Sequence, residues 1–135
     1  MKIKSLQAET PLEAMLPYRK MIQEALSHSG NSHTFQNIVD SVEKQSMQFW
    51  PMEKSCLVTE FISYPKFKTL HIFLAGGHLD EIKSIDPTLQ MLCREVGAKY
   101  ISLSGRRGWV KALADLDYEL SHVTMAKEIK EKEDE

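Results

Sequence analysis

The apolar positions of this chain change period near its middle. A short alternating run, "KIKSLQ" (Lys2–Gln7), predicts a first strand. "TPLE" then reads as a helix start: Thr10 caps, Pro11 takes the first helical position and Glu13 completes a capping box. Leu12, Met15, Leu16, Ile22 and Leu26 fall near one face of the helix that follows, with a kink or fresh start at Pro17 and a stop at Gly30. A second helix is predicted over Thr34–Trp50, with Phe35, Ile38, Val39, Val42 and Phe49 as its buried stripe and Pro51 as its end.

Beyond that point β-branched and aromatic residues crowd together. "SCLVTEFI" (Ser55–Ile62) and "TLHIFLA" (Thr69–Ala75), separated by the turn "SYPKFK", predict an antiparallel hairpin. Asp86-Pro87 opens another helix with Leu89, Leu92, Cys93 and Val96 on one face, ended by Gly97. "KYISLS" (Lys99–Ser104) is a short strand. "GRRGW" leads into a helix whose stripe is Trp109, Ala112, Leu113 and Leu116, and "YELSHVTM" (Tyr118–Met125) is the last strand. The predicted order is β-α-α-β-β-α-β-α-β, an α+β domain with a mixed sheet over residues 1–125, followed by a charged tail at 126–135.

Composition narrows the classes. The chain has 135 residues, 42% apolar and 27% charged, enough for one domain with a real core. A net charge of −2 gives no basic field to recruit nucleic acid or a membrane. No apolar run approaches the roughly 18 residues of a membrane span, and "MKIKSLQAETP" lacks the hydrophobic centre of a signal peptide. Cys56 and Cys93 make no disulfide framework, so a cytoplasmic setting is expected, including particles assembled there.

The element order resembles the GNAT superfamily of N-acetyltransferases over nearly the whole chain. The likeness is strongest in "LCREVGAKYISLSGRRGWVKALADLDYEL" (Leu92–Leu120), where a helix ends at Gly97, a strand follows and a short helix closes on Asp117-Tyr118. "FLAGG" and "GRRGW" are also similar to segments of small GNAT-like proteins encoded by bacteriophages and prophages, some of which serve virion morphogenesis.

The resemblance implies what activity would require. Working members hold the pyrophosphate of acetyl-CoA on glycine-rich backbone amides leading into a helix N-terminus. Here "LAGGHLDEIKSIDPTLQ" places Gly76 and Gly77 before the helix predicted at Asp86, and Asp80, Glu81 and Asp86 would repel phosphate. A glycine pair also commonly marks a turn or bulge alone. The tyrosine that many members use as general acid, a contribution of about 10²–10⁴-fold, is matched here by Leu113. In an active enzyme Glu60 would be the base, and Gly76, Gly77, Arg106 and Arg107 would contact acetyl-CoA.

Other residues carry weaker signals. His71 is read on the face opposite Leu70, Ile72 and Leu74, as a base or as a structural histidine. His78, Asp80 and Glu81 bunch together without the spacing of a metal site, and Cys93 reads as core. Arg106 and Arg107 form planar forks suited to anions, beside Trp109 as an aromatic anchor. Tyr64 and Phe67 in "YPKF" suit protein–protein contact. The expectation is a catalytically degenerate, virion-associated assembly component acting through protein partners or its own copies, with no cofactor or metal. The alternative is an acetyl-CoA-dependent N-acetyltransferase with an atypical cofactor loop.

Overall fold

The computed structural model describes residues 9–105 and 107–131. The strand expected over Lys2–Gln7 and the anion contact expected of Arg106 lie outside the described residues. Thr10 caps α1 (Pro11–Met15) by accepting from the Glu13 amide. Pro17 then forces a single 3-10 turn, Leu16–Tyr18, before α2 (Arg19–Ser27). α3 (Phe35–Glu43) opens on a capping box between Thr34 and Asn37.

The chain departs from expectation after Glu43. Gln45 takes a left-handed φ of 63°, and the helix stops seven residues before Trp50. Gln48–Pro51 is instead β1, paired antiparallel with β2 (Cys56–Ser63). The helical spacing of Phe49 was coincidental. Phe49 and Trp50 point to opposite faces, Phe49 opposite Val58 and Trp50 opposite Leu57, as a period of two requires.

β2 pairs antiparallel with β3 (Lys68–Gly76), the predicted hairpin. α4 (Leu79–Ser84), which the sequence reading missed, and α5 (Asp86–Val96) carry the chain back to β4 (Tyr100–Leu103), parallel to β3. Gly97 ends α5 with a left-handed φ of 76°. α6 (Gly108–Ala112) and a 3-10 turn at Ala114–Leu116 follow. The sheet order is β1-β2-β3-β4. The architecture is α+β with a mixed four-stranded sheet, as expected in class.

The strand expected over Tyr118–Met125 does not form; the described residues beyond Asp117 have no regular structure. The segment lacks a consistent apolar face, because Leu120 falls on the opposite parity from Val123 and Met125.

Both faces of the sheet are covered. Val58, Leu74 and Cys56 pack with Met15, Ile22 and Ile38 of the first helices. Leu57, Leu70 and Ile72 pack with Ile82, Leu89 and Cys93 of α4 and α5. Leu57 and Leu70 are fully buried, so truncating either to alanine costs about 2–5 kcal/mol.

Candidate functional site

One break in the sheet positions the main candidate site. Val58 and Thr59 are consecutive on β2, yet their partners on β3 are Leu74 and Ile72. Phe73 is therefore an extra residue, a β-bulge, and the strand bends there. β4 pairs with β3 only as far as Ile72↔Leu103, whereas β3 runs on to Gly76. Past the bulge the two parallel strands part, and a crevice opens outside their carboxyl ends, where open α/β sheets characteristically bind ligands.

The opening is a solvent-facing cleft of about 720 Å³ between α2 and α6. Glu24 and His28, four residues apart on α2, line one side; Trp109 and Ala112 line the other; Gly76 and Gly77 form its floor. Gly76 and Gly77, expected as cofactor contacts, and Trp109, expected as a partner anchor, thus line one cleft. Glu24 and His28 were missed, although an i, i+4 polar pair on a helix was a readable signal.

The glycine pair answers to packing. Gly77 has φ of 108°, and a Cβ there would collide with the Lys54 carbonyl oxygen and lie 2.5 Å from Ser55 Oγ. At Gly76 a Cβ would meet the Met21 side chain, 2.5 Å from Cγ. The backbone leads straight into α4, whose N-cap is His78, so the pair precedes an unforeseen short helix, while the helix expected at Asp86 begins there as α5.

Polar groups of the protein already engage backbone amides beside the pair. The His78 amide donates to Ser55 Oγ at 2.8 Å, and the Lys54 amide donates to Glu81 Oε1 at 2.8 Å. That amide holds the Glu81 carboxyl below its ordinary range against an opposing desolvation, with Ser55, His78 and the Lys54 charge adding smaller lowering effects. Asp80 and Glu81 both fall in the first turn of α4. Asp86 is not the cap of α5, which is Ile85. Its buried carboxylate accepts from Gln90 Nε2 at 2.7 Å and from the Tyr118 hydroxyl at 3.1 Å. Burial and the neighbouring Asp86 push the Tyr118 phenol well up. No local pattern could have announced that pairing across 32 residues.

A second constellation crosses three strands. Glu60 is opposite His71, and His71 is opposite Ser102. His71 Nδ1 lies 2.8 Å from Ser102 Oγ. Burial holds the imidazole below its ordinary range, partly offset by the Glu60 carboxylate. The bulge corrects one expectation here: Leu74 joins the cluster on the α1–α3 side, the face that His71 shares, while Leu70 and Ile72 lie on the other. Glu60 does not line the cleft.

Arg107 is exposed and precedes α6, its carbonyl accepting from the Val110 amide at 3.1 Å. Trp109 is half-buried against the α4–α5 core and over Gly105, a wall of the cleft rather than a projecting anchor. Leu113, at the position of the general acid in the resemblance, is buried. Cys56 and Cys93 are both buried free thiols; burial pushes Cys56 up to about 12 and Cys93 upward. Neither is a thiolate nucleophile at neutral pH. Among the described residues no three His, Cys, Asp or Glu side chains are placed to hold a metal, and no helix is long and apolar enough to cross a membrane.

Tyr64 and Phe67 stand together at the opposite end of the sheet, their rings 5.3 Å apart. Tyr64 is 50% exposed.

No protein-family model and no curated protein matches the chain. Solved structures do. The chain is similar to a tetramutant of the BH1408 protein from Bacillus halodurans, at 11% identity over 90% of this chain and 97% of that one, with a TM-score of 0.62. It is also similar to a point mutant of TTHA1254 from Thermus thermophilus, at 8% identity over 85% of this chain and 95% of that one, with a TM-score of 0.56. At such identities the likeness is one of fold, and it extends over nearly the full length of each of these chains.

Proposed function

We propose that this protein works by recognition rather than turnover: a GNAT-like fold serving as an assembly component, virion-associated as the phage resemblance suggests, through contacts with protein partners. One observation carries the reading. Two backbone amides beside the glycine pair are already taken by the protein's own groups, the His78 amide by Ser55 and the Lys54 amide by Glu81. Acidic residues in the first turn of α4 oppose the anion that a working cofactor loop would hold. The buried Leu113 in place of a proton donor supports the same reading.

A second reading is favoured by the crevice itself. A cleft of about 720 Å³ at the ends of parting parallel strands is the place for an extended ligand, and an acetyl-CoA-dependent N-acetyltransferase would use it. Gly76, Gly77 and Arg107 would then contact the cofactor, and Glu60 or His71 would take the proton from an amine.

Thermal unfolding with and without millimolar acetyl-CoA separates the two. A ligand present at about a hundred times its dissociation constant adds roughly 2.7 kcal/mol to the native state. In a domain of this size about 1 kcal/mol moves the midpoint by a few degrees. The recognition reading expects no displacement; a clear rise would overturn it and establish the cleft as a cofactor site.

A further inference from the structure

The end of the sheet remote from the crevice carries a surface that the other described residues leave exposed. The β2–β3 turn, closed by the Tyr64 amide on the Phe67 carbonyl at 2.8 Å, presents Tyr64 and Phe67. The Phe67 ring meets Tyr100 of β4 edge to face, centroids 5.0 Å apart and planes at 76°. Tyr100 is 49% exposed, so the row Tyr64–Phe67–Tyr100 runs from the turn onto the outer strand. The Lys99 amide donates to the Lys68 carbonyl at 2.8 Å, which locks the start of β4 onto the start of β3 and fixes this spacing.

Lysines are set among the rings. Lys99 Nζ lies 5.3 Å from the centroid of Tyr100 and 5.9 Å from that of Phe67. Lys66 is exposed in the turn, whereas Lys68 lies over Phe61 on the other face of the sheet, its Nζ 6.0 Å from that ring's centroid. The one ion pair among the described residues is Lys83–Asp115, so Lys66, Lys68 and Lys99 have no carboxylate partner there.

This geometry selects the ligand. A single-stranded nucleic acid needs open ring faces on which bases stack. Here Phe67 and Tyr100 meet edge to face and the single Lys99 ammonium group lies over both rings. What is offered outward is cationic charge beside aromatic edges and a tyrosine hydroxyl, which suits carboxylates with apolar side chains between them.

We propose that the Tyr64–Phe67–Tyr100 surface, with Lys66 and Lys99, docks a glutamate- or aspartate-rich segment of a partner protein. The proposal rests on the recognition reading and names its partner's chemistry.

Fluorescence anisotropy with a labelled peptide of alternating glutamate and leucine tests it, against the same peptide with lysine for glutamate and against oligothymidylate. The glutamate peptide is expected to bind, more weakly as salt rises, and to lose about tenfold in affinity in the K66A/K99A double variant. Tyr64→Ala should weaken it as well, with an unchanged thermal midpoint showing that the fold is intact. No binding by the glutamate peptide, equal binding by the variants, or tighter binding of oligothymidylate would each overturn the proposal. If acetyl-CoA leaves the midpoint unmoved and the peptide is ignored, this inference alone fails. If acetyl-CoA raises the midpoint, the recognition reading fails with it.

Discussion

The two ends of β3 differ in how its residues are committed. At the carboxyl end Gly76 and Gly77 are hemmed in by Met21, Lys54 and Ser55, and nearby backbone amides already have side-chain acceptors. At the amino end, about 26 Å away at roughly 3.3 Å per residue, Tyr64, Tyr100, Lys66 and Lys99 face solvent, the two lysines with no ion-pair partner among the described residues. The first end looks more like a site, because it is concave and holds a glycine pair. Its groups, however, are engaged in holding the fold. The second end has no glycine pair to draw the eye, yet its charged and aromatic groups are the ones left exposed. A cavity shows where a ligand would fit, whereas unsatisfied chemistry shows what the surface is ready to bind.

Substitution at the carboxyl end should therefore cost stability first. Gly77→Ala forces a Cβ into the Lys54 carbonyl at a φ of 108°, where a side chain is strained whatever the space. Strain and collision together predict a loss of about 3 kcal/mol or more by urea unfolding. Gly76→Ala meets only the bendable Met21 side chain and should lose about 1 kcal/mol. Were Gly77→Ala as stable as the parent, packing would not explain this glycine, and the comparison would tilt back toward a phosphate role.

The same contrast bears on what could be read in advance. The hairpin, the Asp86-Pro87 helix start and the Gly97 stop were legible because each depends on residues within a turn or two. β1 was not, since Gln48 to Pro51 becomes a strand only by pairing with β2. The bulge at Phe73 also escaped, for a run of apolar residues carries no mark of which one lacks a partner. That one residue reassigns Leu74 to the other face and opens the crevice. The acidic character of the loop was plain from Asp80 and Glu81. Its actual arrangement, with Glu81 on a backbone amide 27 residues away, is tertiary. Tyr64 and Phe67 were visible in the turn, but Tyr100 and Lys99 joined them only through the parallel crossover.

A smaller effect lies between the two ends, at His71. Its imidazole is held below an ordinary value near 6.5 chiefly by burial, with Glu60 opposing. The unfolded chain then binds more protons at this site, so the stabilisation is complete above pH 6.5 and is lost as pH falls through the lowered folded value. Urea titrations at stepped pH should show stability declining below that point, and His71→Gln should flatten that part of the curve. An unchanged slope in the variant would mean that burial does not hold His71 neutral in the folded protein.

The smallest effect on stability is expected at the aromatic end. Tyr64 is half exposed and Lys99 lies on the surface, and an exposed cation–π contact contributes only about 0.5–1 kcal/mol. Tyr64→Ala and Lys99→Ala should each fall within about 1 kcal/mol of the parent in urea. If either instead cost as much as Gly77→Ala, this end would be structural too, and its exposed lysines would be fastening the β3–β4 junction. A small cost leaves side chains that the fold tolerates losing, placed where a partner would meet them.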